Sequence, residues 1–162
     1  MESANNKPRI ILYTLTRDRL DYTKQTFEGM RKTAGIEFDH FILDNGSEDG
    51  TQNWLRKWRD NNSNTKLYLA KENMGLWAGI NTVLSKTNFF EGYDFVCKLD
   101  NDVDFNVEGA QDWLLRLYKV AMSAVGEQWV LSPYVDGLGN NSGGAPRMGV
   151  DLIHNKQISL SS

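Results

Sequence analysis

Apolar residues along this chain gather into short runs that alternate with stretches of helical spacing. Residues 9–15 form a β-rich, mostly apolar run of the kind that a strand covered on both faces requires. After Thr16-Arg17-Asp18, the residues Leu20, Thr23, Phe27, Met30 and Arg31 recur at helical spacing until Gly35 closes the segment. A second strand is expected at 38–43. It is followed by the polar stretch 44–51 and by a helix over 51–60 with Trp54, Leu55 and Trp58 on its buried stripe. Residues 66–70 read as a third strand, Asn73-Met74-Gly75 leads into a helix through Leu76, Ile80, Val83 and Leu84, and 95–99 as a fourth strand. A long helix is expected over 107–125 with Trp113, Leu114, Leu117, Tyr118 and Ala121 inward. A fifth strand at 129–135, a glycine-rich loop at 136–146 and an edge strand at 148–153 complete the chain.

This rhythm predicts one α/β domain, a three-layer α/β/α sandwich with a mostly parallel sheet, over all 162 residues. In open sheets of this type, ligands bind outside the carboxyl ends of the strands. The polar clusters of this chain follow the first, second and fourth strands, so they are expected to converge on one crevice.

Charge and composition narrow the possible partners. There are 18 basic and 21 acidic residues, well mixed, for a formal charge of −3, so no basic stripe is available to follow a nucleic acid backbone. The single cysteine, Cys97, lies in an apolar run and reads as a buried, reduced thiol. No run approaches membrane-spanning length, and the polar start does not resemble a signal peptide. The expected setting is therefore soluble and cytoplasmic.

The chemistry concentrates at the end of the fourth strand, where an apolar run ends in Asp100-Asn101-Asp102-Val103-Asp104. Gathered carboxylates repel one another and are costly to desolvate, and a bound divalent cation is the simplest reason to assemble them. Oxygen ligands suit Mg²⁺, Mn²⁺ or Ca²⁺. Acids two apart on extended chain point to one side, so Asp100 and Asp102 are the leading ligands. Asp104 and His154 are further candidates. A calcium loop starting at Asp100 would need glycine and glutamate where Phe105 and Gln111 stand. The chain has no phosphate loop ending in Gly-Lys-Ser/Thr and no dinucleotide fingerprint after the first strand. Two histidines and one cysteine make no zinc site, and His40, within a strand, reads as structural.

Four motifs in order, Thr14-Leu15-Thr16-Arg17, Asp44 to Thr51, Asn73-x-Gly75 with Ala78 and Asn81, and Leu99-Asp100-Asn101-Asp102, resemble the nucleotide-binding half of family 2 glycosyltransferases of the GT-A fold. The resemblance runs over residues 9–135. It implies a nucleotide-diphosphate sugar donor, a divalent cation (Mn²⁺ or Mg²⁺) between its phosphates, and inverting transfer to an acceptor hydroxyl on a saccharide, a lipid-linked group or a protein. On this resemblance Thr14, Thr16 and Arg17 line the nucleoside pocket, and Asp44, with Asn45, meets the base. Asn73 and Asn101 face the donor, Asp100 holds the ribose or orients the metal, and Asp102 ligates the metal. Inverting members use a carboxylate as general base in a region beyond the metal site. This chain ends before that region, leaving Asp136 and Asp151 as candidates. A donor-binding module without transfer activity of its own is the alternative reading.

Purely structural readings stand beside these. Ser47 and Asp49 are preferred as caps of the helix at Thr51, Asn73 and Gly75 also suit a helix start, and Asn81 suits a satisfied interior amide. The tryptophans suit core positions, with Trp77 the one nearest a crevice loop.

Overall fold

The computed structural model describes residues 7–86, 91–123, 130–133 and 150–153. They fall into two compact units, one of residues up to Lys32 together with Glu37–Asn106, the other of Thr33–Ile36 and the chain from Val107 onward.

The first unit is built on β1 (Ile10–Thr16), β2 (Asp39–Asp44), β3 (Thr65–Leu69) and β4 (Phe95–Lys98), joined through α1 (Leu20–Thr33), α2 (Thr51–Asn61) and α3 (Leu76–Lys86). All three strand pairings are parallel, in the order β3-β2-β1-β4. The period of two in the strands sorts the core into two layers. On one face, His40 of β2 meets Phe27 of α1 edge-on at 4.8 Å, and Phe27 in turn packs on Trp54 and Trp58 of α2. On the other, Ile11, Phe41 and Leu43 form a cluster with Val83 of α3, with Tyr13, Leu15 and Tyr68 at its margin. Helices therefore cover both faces of a parallel sheet, as the alternation of apolar runs predicts. At Gly79 of α3 a side chain would meet Leu15 at 3.0 Å, so glycine there sets how closely the helix lies on the sheet.

The chain lays β2 and β3 to one side of β1, then crosses back to place β4 on the other. Such a reversal opens a crevice beyond the carboxyl ends of the two strands flanking it, here β1 and β4.

In the second unit, α4 (Trp113–Ser123) begins six residues later than the apolar spacing predicts. Residues 107–110 close a separate turn, Ala110 N–H to the Val107 carbonyl. The positive φ of Gly109 and Asp112 (87° and 55°) then breaks the helical path before Trp113. Trp113 and Leu114 are buried as expected. The Ala34 carbonyl accepts the amide of Leu115, one of those a first helical turn leaves without an intrahelical partner. Gly35, expected to close α1, has φ of 73°, and a side chain on it would run into the Asp112 backbone. The fifth strand and the edge strand are observed as β5 (Val130–Pro133) and β6 (Val150–Ile153). They pair antiparallel with each other and belong to no other sheet among the described residues. The predicted loop at 136–146 lies outside the described residues.

Cys97 is half-buried rather than fully buried as expected, and burial pushes its thiol up to about 11, which disfavours the reactive thiolate. Among the described residues no helix is long and apolar enough to cross a membrane.

Candidate donor site at the carboxyl ends of the strands

Four loops meet at the carboxyl edge of the first unit. The loop after β2 is held from within by Asp44, which is fully buried. One of its oxygens accepts the Ser47 amide at 2.9 Å and the Gln52 side chain at 2.8 Å. The other accepts the hydroxyls of Thr16, at 2.9 Å, and Ser47. Four donors fill the capacity of a carboxylate, so Asp44 is consumed in holding β1, β2 and the start of α2 together. The Ser47 hydroxyl also accepts the Asp18 amide at 2.7 Å, which ties the loop after β1 to the loop after β2. Ser47 is thus a loop tether and not the helix cap its position suggests.

Asp49 does cap, and at two helices. Its Oδ1 accepts the amide and hydroxyl of Thr51 at the start of α2, and its Oδ2 accepts the amide of Leu20 at the start of α1, at 2.9 Å. Burial alone raises a carboxyl pKa, but the bonds from Thr51 and Leu20 outweigh it and hold Asp49 below the usual carboxylate value.

Asn45 brackets the third loop. It receives the Met74 amide at 2.8 Å and donates to the Asn73 side chain at 2.9 Å, while Asn73 also accepts the Gly75 amide at 2.9 Å. Asn73 therefore serves the start of α3, and the residue itself stays exposed beside Lys71. Gly46, at φ of 76°, is where two loops touch, since a side chain there would lie 2.5 Å from the Glu72 backbone.

The predicted nucleoside-lining threonines lie beneath this surface. Thr14 is fully buried with its hydroxyl 3.0 Å from His40 Nε2, and Thr16 is equally buried on Asp44. Burial, and behind it the charge of Arg31, pushes His40 down to about 3, so the ring is neutral and structural as expected. Asn81 is exposed on α3, so it is not an interior amide. Trp77 is 75% exposed, so it is not a core residue.

The loop after β4 is open. Asp100 and Asp102 are 64% and 42% exposed. Asp100 pairs with Lys98, and Asp102 Oδ2 takes the Arg19 guanidinium at 2.8 Å across the strand reversal. Asp104 instead accepts the Asn106 amide in its own turn. That bond, helped by the Gln25 side chain, holds its carboxyl low. Asn101 donates to Thr23 of α1 at 2.9 Å and anchors the loop. Among the described residues no three acidic, cysteine or histidine side chains converge as a ready metal cage. Asp136 and His154 lie outside the described residues, and Asp151 stands opposite Ser132 in the β6 ladder.

Arg19 is the residue that the sequence reading missed. It and Asp18 both hold a left-handed backbone, with φ of 58° and 53°. Each such residue costs roughly 1–2 kcal/mol, whereas an exposed ion pair returns about 1 kcal/mol at most. The signal available in the sequence was an arginine directly before the first helical residue, where a small polar cap is usual.

Comparison with known proteins agrees with this architecture. The sequence matches the family described as Glycosyl transferase family 2 over residues 10–124. No curated protein matches the sequence. Among solved structures, the fold is similar to the mannosyltransferase PcManGT from Pyrobaculum calidifontis in complex with GDP-Man and Mn²⁺. The TM-score is 0.53 and the identity 18%, over 64% of this chain and 30% of that one. It is also similar to S. aureus TarS, with a TM-score of 0.55 and 17% identity over 86% of this chain and 23% of that one. The 1-349 form of TarS gives 0.55 and 18% over 82% and 43%. The chain thus spans less than half the length of each of these three structures. With four parallel strands, helices on both faces and a family match covering most of its length, this chain belongs to glycosyl transferase family 2.

Proposed function

We propose that this chain binds a nucleotide-diphosphate sugar at the crevice between β1 and β4 and passes the sugar, with inversion, to an acceptor hydroxyl. The observation that carries this reading is the pair of exposed carboxylates, Asp100 and Asp102, at the tip of β4 beside the strand reversal.

The donor set suits a divalent cation. Lys98 and Arg19 already stand as cations on these two carboxylates, and Asp102 Oδ2 holds a guanidinium nitrogen at 2.8 Å. Asp102 and Asp100 would hold Mn²⁺ or Mg²⁺ with help from the donor phosphates and water. Such an ion would stabilise the negative charge gathering on the departing diphosphate. In this reading Thr14, Thr16, Asp44 and Asn45 act from beneath, fixing loops whose exposed members, Arg17, Lys71 and Asn73, meet the donor. The base removing the acceptor proton is sought at Asp136 or Asp151. Asp→Asn at the true base leaves donor binding intact and removes turnover.

The test is a thermal-shift panel of UDP, GDP, CDP and dTDP with Mn²⁺, Mg²⁺ or chelator, on the native chain and Asp102→Ala. Binding to the folded state raises the melting temperature by linkage. A metal-dependent rise for one nucleotide, lost in Asp102→Ala, is expected; no rise for any nucleotide removes the donor reading. Sugar transfer to a panel of acceptors then separates the two classes of function. Sustained transfer makes the chain an enzyme by itself, and donor binding without transfer makes it a donor-binding module.

A further inference from the structure

We infer that Arg19 is the diphosphate-binding residue of this chain, and that Asp102 is where its guanidinium waits until a donor arrives; the inference rests on the donor reading above. Arg19 occupies the position whose carbonyl accepts the first hydrogen bond of α1, from the Thr23 amide at 3.0 Å. A side chain at that position ordinarily caps its own helix. Here the capping is done from another loop, because Asp49 supplies the acceptor for Leu20. Position 19 is thereby released to carry a long cation. The backbone under it is pinned on both sides. The Asp18 amide donates to Ser47, and the Asp18 carboxylate accepts the Glu48 amide at 2.9 Å. These bonds hold two successive residues left-handed and leave one guanidinium over the strand reversal, in an exposed pair that itself returns about 1 kcal/mol at most.

A guanidinium matches phosphate oxygens as a planar fork of donors, and a diphosphate carries more charge than one carboxylate. Arg19 therefore exchanges Asp102 for the diphosphate when a donor binds. The exchange uncovers Asp102 as the phosphates come within reach, so donor and cation assist each other's binding. Without donor, the guanidinium competes with any cation for the same carboxylate.

Calorimetric titration of the native chain, Arg19→Ala and Arg19→Lys with UDP, GDP, CDP and dTDP and with the corresponding nucleosides, in Mn²⁺ and again in chelator, tests the assignment. Arg19→Ala is expected to weaken the diphosphate roughly tenfold or more while leaving the nucleoside unchanged, and Arg19→Lys to recover part of the loss. Arg19→Gly relieves the left-handed backbone, so it keeps the fold and shows the same loss. Mn²⁺ binding without nucleotide, read by electron paramagnetic resonance, is expected to tighten severalfold in Arg19→Ala. Diphosphate binding equal to the native chain's overturns the assignment, as does an equal loss for nucleoside and diphosphate. Unchanged Mn²⁺ affinity overturns the waiting position on Asp102. If the native chain binds no diphosphate under either condition, the donor reading falls and this inference with it.

Discussion

Two strand ends in this molecule carry similar letters and do opposite things. The tip of β2 reads Asp44-Asn45-Gly46-Ser47-Glu48-Asp49, and that of β4 reads Asp100-Asn101-Asp102-Val103-Asp104. At β2 the first carboxylate is fully buried and meets four donors, and Asp49 is divided between two helices. At β4 the acids at 100 and 102 are exposed and pair with the partly exposed cations of Lys98 and Arg19. What separates them is the supply of donors nearby. After β2 the chain turns at once into α2, which brings amides and hydroxyls to the acids. After β4 it runs without a helix to Asn106. An acidic motif thus becomes scaffold or site according to what its neighbours have already satisfied.

The contrast predicts a ladder of effects on stability. Asp44→Ala leaves several buried donors without an acceptor and is expected to cost about 3 kcal/mol or more. For a chain of this size that lowers the melting temperature by roughly 10 °C, measurable by calorimetry; an effect below about 1 kcal/mol would place Asp44 with the open acids. Asp49→Ala removes one cap from each of α1 and α2, for about 2 kcal/mol in total by urea denaturation. Because hydrogen bonds keep its carboxyl low, Asp49 contributes fully above the unfolded pKa, and the contribution fades as pH falls through the folded one.

The buried face of β2 also carries His40, at about 3 in the folded chain against an ordinary value of 6.5. The unfolded chain binds the extra proton between those values, so stability is complete above 6.5 and falls with acid by about 1.4 kcal/mol per pH unit. Between pH 7 and 5, above most carboxylate titration, this amounts to about 2 kcal/mol. The double variant Thr14→Val with His40→Leu, which removes both partners together, is expected to flatten that limb. A slope that survives in the variant assigns the acid sensitivity elsewhere. Smallest on this ladder is Asp102→Ala, expected to shift stability by under about 1 kcal/mol, since it removes only an exposed pair. The same substitution is expected to remove nucleotide-dependent stabilisation entirely.

Much of this was legible in the sequence, for identifiable reasons. The strands and helices of the first unit stand within a residue or two of the apolar periodicity, because β1 and β2 are buried on both faces and the half-buried β3 and β4 keep the same short apolar runs. The start of α4 was misplaced because its apolar spacing continues through Gly109 and Asp112, and only their backbone angles stop the helix. The acids of β4 could be picked out by their place after an apolar run. Which acids are spent internally could not, since Asp44 is satisfied by Thr16 and Gln52, one distant in sequence and one on the next helix. The partnership of Arg19 and Asp102 spans 83 positions, and no local pattern announces it.

The strand order has a further consequence, for assembly. β1 is central, yet its second neighbour, β4, begins at Phe95, which lies opposite Ile10. Contacts of such long sequence separation form late and slowly. During synthesis β1, β2 and β3 can pair and bury Phe27 and Leu43 while the edge awaiting β4 stays bare. The crevice between β1 and β4, where we propose that a donor binds, is therefore completed last in the first unit, after the rest of the sheet has paired.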